Sequence, residues 1–267
     1  MKKIETRHVK EVEGLITNGV TRPLRCILDN GKRAVVKVFN NEHGNLTLVN
    51  EYICYQLAKV LDIPMPLSGV CLCDDETVDT YHELSVENMG CGFFSTYIEK
   101  NTILKPGIMR HVLNIDIFYK VVIFDHLIYN KDRNIANLLV EYSKRGIKIT
   151  VIDHTHVFKN ETIWDANCFE IGMSENDYLD EEIMRSNDDM YKMFTQAMTV
   201  EYGKLVEIAE EVQHVLTDEM INEVVVSVPN EWGISEKDLL ALKDYLIYRK
   251  GHLREMCDVI YGYIQNN

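Results

Sequence analysis

Residues 121–140 read VVIFDHLIYNKDRNIANLLV. Apolar residues run to Tyr129, eight residues NKDRNIAN interrupt them, and apolar residues resume at Leu138. Asp132 and Asn137 stand five apart with Ile135 between them. In a looped segment that spacing brings a carboxylate and a carboxamide to one cleft. The carboxylate can orient a hydroxyl or accept its proton, and the amide oxygen can ligate Mg²⁺ without adding charge. Arg133 can hold the loop or neutralise a phosphate. Taken alone, the same spacing is also that of a solvated turn closed by Asx bonds.

The segments around it narrow the choice. IKITVIDHTHVF (147–158) is an alternating apolar strand ending in Asp153, a position where a sheet fixes a carboxylate and a loop leaves it open to a hard cation. His154 and His156 lack a third nitrogen or sulfur ligand at local spacing, so zinc is not expected. In AVVKVF (34–39) Lys37 is the single charge in an apolar strand, and must reach an edge or meet an anion. Glu51 follows in VNEYICYQL (49–57), a helical pattern through Leu48, Tyr52, Tyr55 and Ala58. EGLITNGVTRPL (13–24) supplies Gly14 and Gly19 in a turn between first strands, where backbone can approach a phosphate; it is neither GxGxxG nor a Walker motif. The order is glycine turn, strand lysine, helix glutamate, DxxxxN loop and strand-end Asp. This is the order of parts in a protein-kinase-like ATP site.

The remaining patterns predict a fold of α+β class. Residues 1–100 read as a small β-rich N-terminal lobe, a sheet with one inserted helix over 46–61 and strands at 9–40, 67–73 and 91–99. Residues 101–267 read as a larger, mainly helical C-terminal lobe with a helix over 112–128. Ser235 with Asp238 looks like a capping box.

The chain has 267 residues, 46% apolar and 26% charged, the balance of an ordinary globular protein. Net charge is −14, which argues against non-specific binding to nucleic acid. Residues 161–192 hold ten acids against Arg185 and Lys192, while the first forty residues are slightly basic. Seven cysteines without a CxxC pair point to buried free thiols in a reducing cytoplasm. No signal-like or membrane-length apolar run occurs, so a cytoplasmic protein without membrane partners is expected.

The chain also resembles the HipA-like kinases, a branch of the protein-kinase-like fold related to the phosphatidylinositol kinases. FDHLIYNKDRNIANLLV (124–140) carries the likeness, supported by IDHTHVF (152–158), KVFNN (37–41), LVNEYICYQLAKVLDIPMP (48–66) and VPNEWGISEKDLLALKDYLIYRKGHL (228–253). The resemblance implies a kinase using ATP and Mg²⁺, acting on a serine or threonine hydroxyl of an unidentified protein. It implies Asp132 as the catalytic aspartate, and Asn137 and Asp153 as metal ligands. Lys37 would hold the α/β-phosphates, positioned by Glu51. Tyr97, Ile98 and Glu99 would form the adenine hinge, with Asp125 and Asn130 holding the loop. Lys131 precedes Asp132 where ordinary protein kinases place Arg, and DHT stands for DFG, so their regulation is not carried over. A lipid or small-alcohol kinase, a nucleotidyl transferase and a nucleotide-binding pseudokinase are the alternatives on the same fold.

Overall fold

The computed structural model describes residues 4–17 and 21–267. Five strands, β1 (Glu5–Leu15), β2 (Leu24–Leu28), β3 (Arg33–Lys37), β4 (Ser68–Cys73) and β5 (Gly90–Thr96), form a closed barrel in the order β1-β2-β3-β5-β4. The small sheet expected in this part of the chain is thus closed on itself. Closure comes from a parallel pairing of β1 with β4, from Glu5 opposite Gly69 to His8 opposite Leu72, and it leaves no free sheet edge. Only glycine permits the approach: a Cβ at position 69 would lie 2.2 Å from the Glu5 carbonyl oxygen.

Strand alternation sends Ala34 and Val36 into the barrel with Val9, Val12, Cys26 and Phe94. Lys37 therefore points out of it. α1 (Leu46–Val60) packs against β4 and β5 on one side and, on another, against the helix of residues Asp218–Val226 and the turn at Asn230–Trp232. It is buried from Thr47 to Ala58, not on one face as the helical spacing suggested. Trp232 stands edge-on to Tyr52 at 5.6 Å and donates its indole N–H to the Cys91 carbonyl at 2.7 Å. A residue far along the chain thus fastens α1 to the barrel.

A second sheet of β6 (Asn101–Ile103), β7 (Leu138–Ser143) and β8 (Gly146–Val151) is antiparallel, in chain order. Helices make up most of the rest: α2 (Pro106–Met109), α3 (Ile117–Leu127), α4 (Ala166–Ser174), α5 (Glu182–Ser186) and α6 (Asp188–Thr195). α7 (Tyr202–Val215), α8 (Asp218–Val226), α9 (Glu236–Gly251) and α10 (Leu253–Asn266) follow. The helix expected from residue 112 begins only at Ile117. Before it, Asn114 pairs its amide with both backbone groups of Ile149, at 3.0 and 2.8 Å, so the chain there is tied to β8. Ser235 caps α9 by accepting from Asp238 N at 3.1 Å. Asp238 also accepts from Ala166 N at 2.8 Å, so one cap joins the starts of α9 and α4. Among the described residues no helix is long and apolar enough to cross a membrane. All seven cysteines are free, five of them buried.

The pair Arg249–Asp177 and His126 are buried among the helices. Arg249 is wholly buried; it pairs with Asp177 at 2.6 Å, donates to the His126 carbonyl at 2.8 Å and lies 4.8 Å from the Tyr129 ring centre. His126 places Nδ1 2.8 Å from the Val122 carbonyl, which fixes that nitrogen as the donor, and its Nε2 is buried without a partner. Burial, opposed weakly by that bond, lowers the His126 pKa to about 3.

Arg249→Met leaves Asp177 buried without its counter-charge and is expected to cost about 3–5 kcal/mol of unfolding free energy. Urea denaturation measures it, and a loss within experimental error would show the pair to be dispensable. For His126 the folded pKa lies below the unfolded 6.5, so the unfolded state binds a proton that the fold refuses. The stabilisation is complete above the unfolded pKa and is lost as pH falls toward the folded one, about 2 kcal/mol of it by pH ~5. His126→Leu should lose correspondingly less stability between neutral pH and that point.

Candidate active site

Lys37, at the end of β3, has little room to reach water. Its side chain is 10% exposed, and that of its partner Glu51 on α1 is 8% exposed. The ammonium bonds the Glu51 carboxylate, reaches Asp153 Oδ1 at 3.0 Å and bonds the Thr155 hydroxyl. Glu51 Oε1 also accepts from His154 N at 3.1 Å and from Thr155 Oγ1 at 3.2 Å. Thr155 Oγ1 stands 2.8 Å from Asp153 Oδ1. One hydroxyl therefore touches all three charged groups.

The electrostatics follow from two carboxylates sharing one ammonium. Burial works against the charged form of Lys37, but Asp153 and Glu51 outweigh it and hold the pKa above the ordinary lysine value. Burial likewise opposes ionisation of Asp153, but Lys37 and the bonds from Thr155 and Lys37 hold it well below the carboxylate range. Glu51 is pushed upward, chiefly by burial. Asp153, at 39% side-chain exposure, is the member of the trio open to an incoming group. It sits just past β8 with φ 56°, a left-handed conformation unusual for aspartate and enriched at functional sites.

The DxxxxN loop is held from beneath. Asp125 and Arg133 form an ion pair with both side chains at 0% exposure, Nη2 to Oδ1 2.9 Å. Asp125 also accepts from Asn130 Nδ2 at 2.8 Å and Tyr191 OH at 2.9 Å. Arg133 donates to the Ile152 carbonyl at 3.1 Å and, through Nη2, meets His154 Nε2 at 2.8 Å. Burial first, and then the Arg133 charge, depress the His154 pKa well below the ordinary value, so the imidazole is neutral and Nε2 accepts. Arg133 thus supports the loop instead of facing the cleft.

Above this support the loop joins the strand that leads to Asp153. Asn137 Nδ2 donates to the Asp132 carbonyl at 2.6 Å, and Ile152 N donates to the Asn137 carbonyl at 3.0 Å. With its NH₂ turned to that carbonyl, Asn137 turns Oδ1 the other way, where no bond to another described group engages it. Asp132 and Asn137 therefore meet, and the residue after Ile152 is Asp153. Among the described residues no group of three or more His, Cys, Asp or Glu is placed to hold a metal ion. A divalent cation here would rest on carboxylate, the Asn137 amide oxygen and ligands brought by a substrate, the usual arrangement for Mg²⁺.

The other residues expected at the site lie apart from this cluster. Tyr97, Ile98 and Glu99 follow β5 and line a cleft of about 580 Å³ with Pro64–Leu67 and the β7–β8 strands, whereas Lys37, Asp132, Asn137 and Asp153 do not line it. Glu99 pairs with Arg33 at 3.1 Å. Gly14 lies within β1, not in the turn: it is at a register shift opposite β2, with φ 132°, and that backbone alone accounts for the glycine. Gly19 lies outside the described residues.

Three residues of the cluster are not apparent from the sequence. Thr155 is one and His154, as a neutral acceptor for Arg133, another. The third is Asn50, whose amide donates to the Thr155 and Glu161 carbonyls at 2.7 and 3.0 Å and accepts from Trp164 Nε1 at 2.8 Å. A polar residue inside an apolar helix, next to Glu51, is the available signal for Asn50.

The profile of the HipA-like kinases matches residues 9–254. Similar solved structures include the proinflammatory kinase CtkA of Helicobacter pylori, at TM-score 0.59 and 11% identity, covering 95% of this chain and 96% of that one. The Golgi casein kinase with Mn/ADP bound aligns at TM-score 0.53 and 12% identity, over 96% of this chain and 74% of that one. Hydra Fam20 with sugar aligns at TM-score 0.53 and 13% identity, over 96% and 86%. At such identities the likeness is one of fold, and it makes this mixed α and β fold kinase-like. No curated protein matches the chain. The family match runs from within β1 into α10 and takes in every part of the cluster, and on it the chain belongs to the HipA-like kinases.

Proposed function

We propose that the chain transfers the γ-phosphoryl group of ATP to a serine or threonine hydroxyl of a protein, with Mg²⁺ as the metal. The observation that carries this is the convergence of Lys37, Glu51 and Asp153 beside the joined pair Asp132 and Asn137. Residues 1–100 are read as the nucleotide-holding part and 101–267 as the part bearing the catalytic loop. The Mn/ADP bound to the Golgi casein kinase is support from a fold relative for nucleotide and divalent metal at such a site.

In this reading Lys37 holds the α- and β-phosphates, and Glu51 keeps its ammonium aimed at them. Asn137 Oδ1 and Asp153 hold the metal, which when bound neutralises phosphate charge. Tyr97, Ile98 and Glu99 border the adenine. Asp132 orients the acceptor hydroxyl and takes its proton as the new O–P bond forms and the bond to the β-phosphate oxygen breaks, releasing ADP. Most of the rate comes from positioning and charge. Net charge of −14 and a sequence without a basic cluster disfavour a lipid head group as acceptor.

Intact mass after incubation with ATP and Mg²⁺ tests the reaction. A phosphate-sized gain is expected on the protein itself or on an added protein acceptor, and Asp132→Ala should slow it by about 10²–10⁴-fold. An AMP-sized gain would replace the reading with nucleotidyl transfer. ATP binding without any gain across acceptors would leave a pseudokinase. Lys37→Met should abolish transfer and also lower stability, because Glu51 loses its buried partner. Adding Glu51→Gln should restore part of the stability and none of the transfer; recovery of both would reduce Lys37 to a structural role.

A further inference from the structure

Asp132 must present one carboxylate oxygen to the acceptor hydroxyl in the reaction proposed above, and its backbone is well fixed for that. Its N–H donates to Asn130 Oδ1 at 2.9 Å, and its carbonyl accepts from Asn134 N at 2.9 Å and Asn137 Nδ2 at 2.6 Å. The side chain is a different matter. Rotation of a carboxylate about its last bond is broad and two-fold, so backbone order does not orient its oxygens. Asp132 is only partly buried, and packing does not fix the rotation.

One side chain does. Asn134 donates Nδ2 to Asp132 Oδ1 at 3.0 Å and, more weakly, to the Asp132 carbonyl at 3.3 Å; the NH₂ has a hydrogen for each. The other contact to the carboxylate, Asn137 Nδ2 to Oδ2, is 3.5 Å, at the limit of a hydrogen bond, and that amide's short bond, 2.6 Å, is to the Asp132 carbonyl. The direction of the Asn134 amide is settled by its second bond. Its Oδ1 accepts from Ala136 N at 2.9 Å, capping the short turn Ile135–Asn137. A backbone N–H can only donate, so the oxygen faces Ala136 and the NH₂ faces Asp132. Cap and clamp are therefore two ends of one planar amide.

We infer that Asn134 is a positioning residue for phosphoryl transfer. It occupies Asp132 Oδ1, fixes the carboxylate plane, and leaves Oδ2 as the oxygen that receives the acceptor hydroxyl. This inference rests on the proposed kinase reaction and concerns geometry at the same site. It assigns Asn134 no contact with ATP or metal. Its loss should therefore fall on the catalysed step and not on nucleotide binding.

The cap and the clamp separate by substitution. Asn134→Ser keeps an oxygen able to cap the turn, since Ser and Asn are nearly equal at such positions, but its short side chain does not extend a second group to Asp132. Asn134→Asp keeps both shape and cap and replaces the donor with a carboxylate. Asn134→Ala removes both functions. ADP formation is followed against ATP concentration with Mg²⁺ present, beside thermal midpoints for each variant.

Positioning requires Asn134→Ser to melt with the wild type, to lose about 10–100-fold in kcat, and to keep its KM for ATP within about twofold. Asn134→Asp, which sets a second carboxylate against Asp132, should fall at least as far. A purely structural role would give the other order, with the capping variant Asn134→Ser at wild-type kcat and Asn134→Ala impaired, and that overturns the inference. A KM increase at unchanged kcat overturns it as well. An active wild type with an unaffected Asn134→Ser removes this inference alone; a wild type that forms no ADP removes the kinase reading on which it rests.

Discussion

A guanidinium with no access to water decides the shape of the DxxxxN loop. Burying Arg133 and Asp125 together is costly, and the cost is offset only where the remaining donors and acceptors are also satisfied. Here they are. Asp125 accepts from Asn130, Arg133 and Tyr191, and Arg133 directs its other N–H groups to the Ile152 carbonyl and His154. The pair thus fixes four separate places in the chain: the end of α3, the loop, the exit of β8, and α6. Removing either charge would strand the other. The loop has one arrangement because its base has no alternative set of partners.

The same logic extends across the molecule through α1. An amphipathic surface helix would need one apolar face; this one is buried almost all round, so its two adjacent polar residues must be satisfied inside. Both turn to the chain that follows Asp153. Glu51 accepts from Lys37, His154 N and Thr155, and Asn50 bonds the Thr155 and Glu161 carbonyls and Trp164. Trp232 and Ser227 then hold α1 from the opposite side, through Tyr52 and Cys91. Barrel, α1 and the segment after Asp153 are consequently set with respect to one another, and the position of Lys37 depends on all three.

What can be read from the sequence follows from this physics. Lys37 is visible because a lone charge in an apolar strand needs an anion, and Glu51 because it stands in a helix otherwise built for burial. The Asp125–Arg133 support is half visible: the family likeness marks Asp125 and Asn130 as holding the loop, while the sequence leaves Arg133 free to serve either loop or phosphate. Its neutral acceptor His154 depends on the turn at Asp153, which no local pattern encodes. Closure of the barrel is illegible for a similar reason. β1 and β4 are more than fifty residues apart, and the only trace of their contact is a glycine at 69 that also fits an ordinary strand end. The stretch VLNID at 112–116, expected as the start of a helix, is not helical, because Asn114 replaces helix bonds with bonds to β8.

The charges at the cluster bear on its chemistry independently of any family. Lys37 is balanced by Glu51, which is buried with it and bonded to it. Asp153 shares the same ammonium and is held ionised, so two carboxyl groups face one ammonium. In a protein whose net charge is already −14, an anionic substrate would meet repulsion from such a cluster unless a cation came with it. The arrangement therefore suits a polyanion that arrives with its own divalent metal better than a free anion. In the proposed reaction Lys37 would serve as a fixed point charge, and Asn137 would supply an oxygen without adding to the negative total. On that reading a neutral ligand atom beside excess carboxylate would admit both metal and phosphate, a task for which asparagine suits the end of the loop better than a further acid.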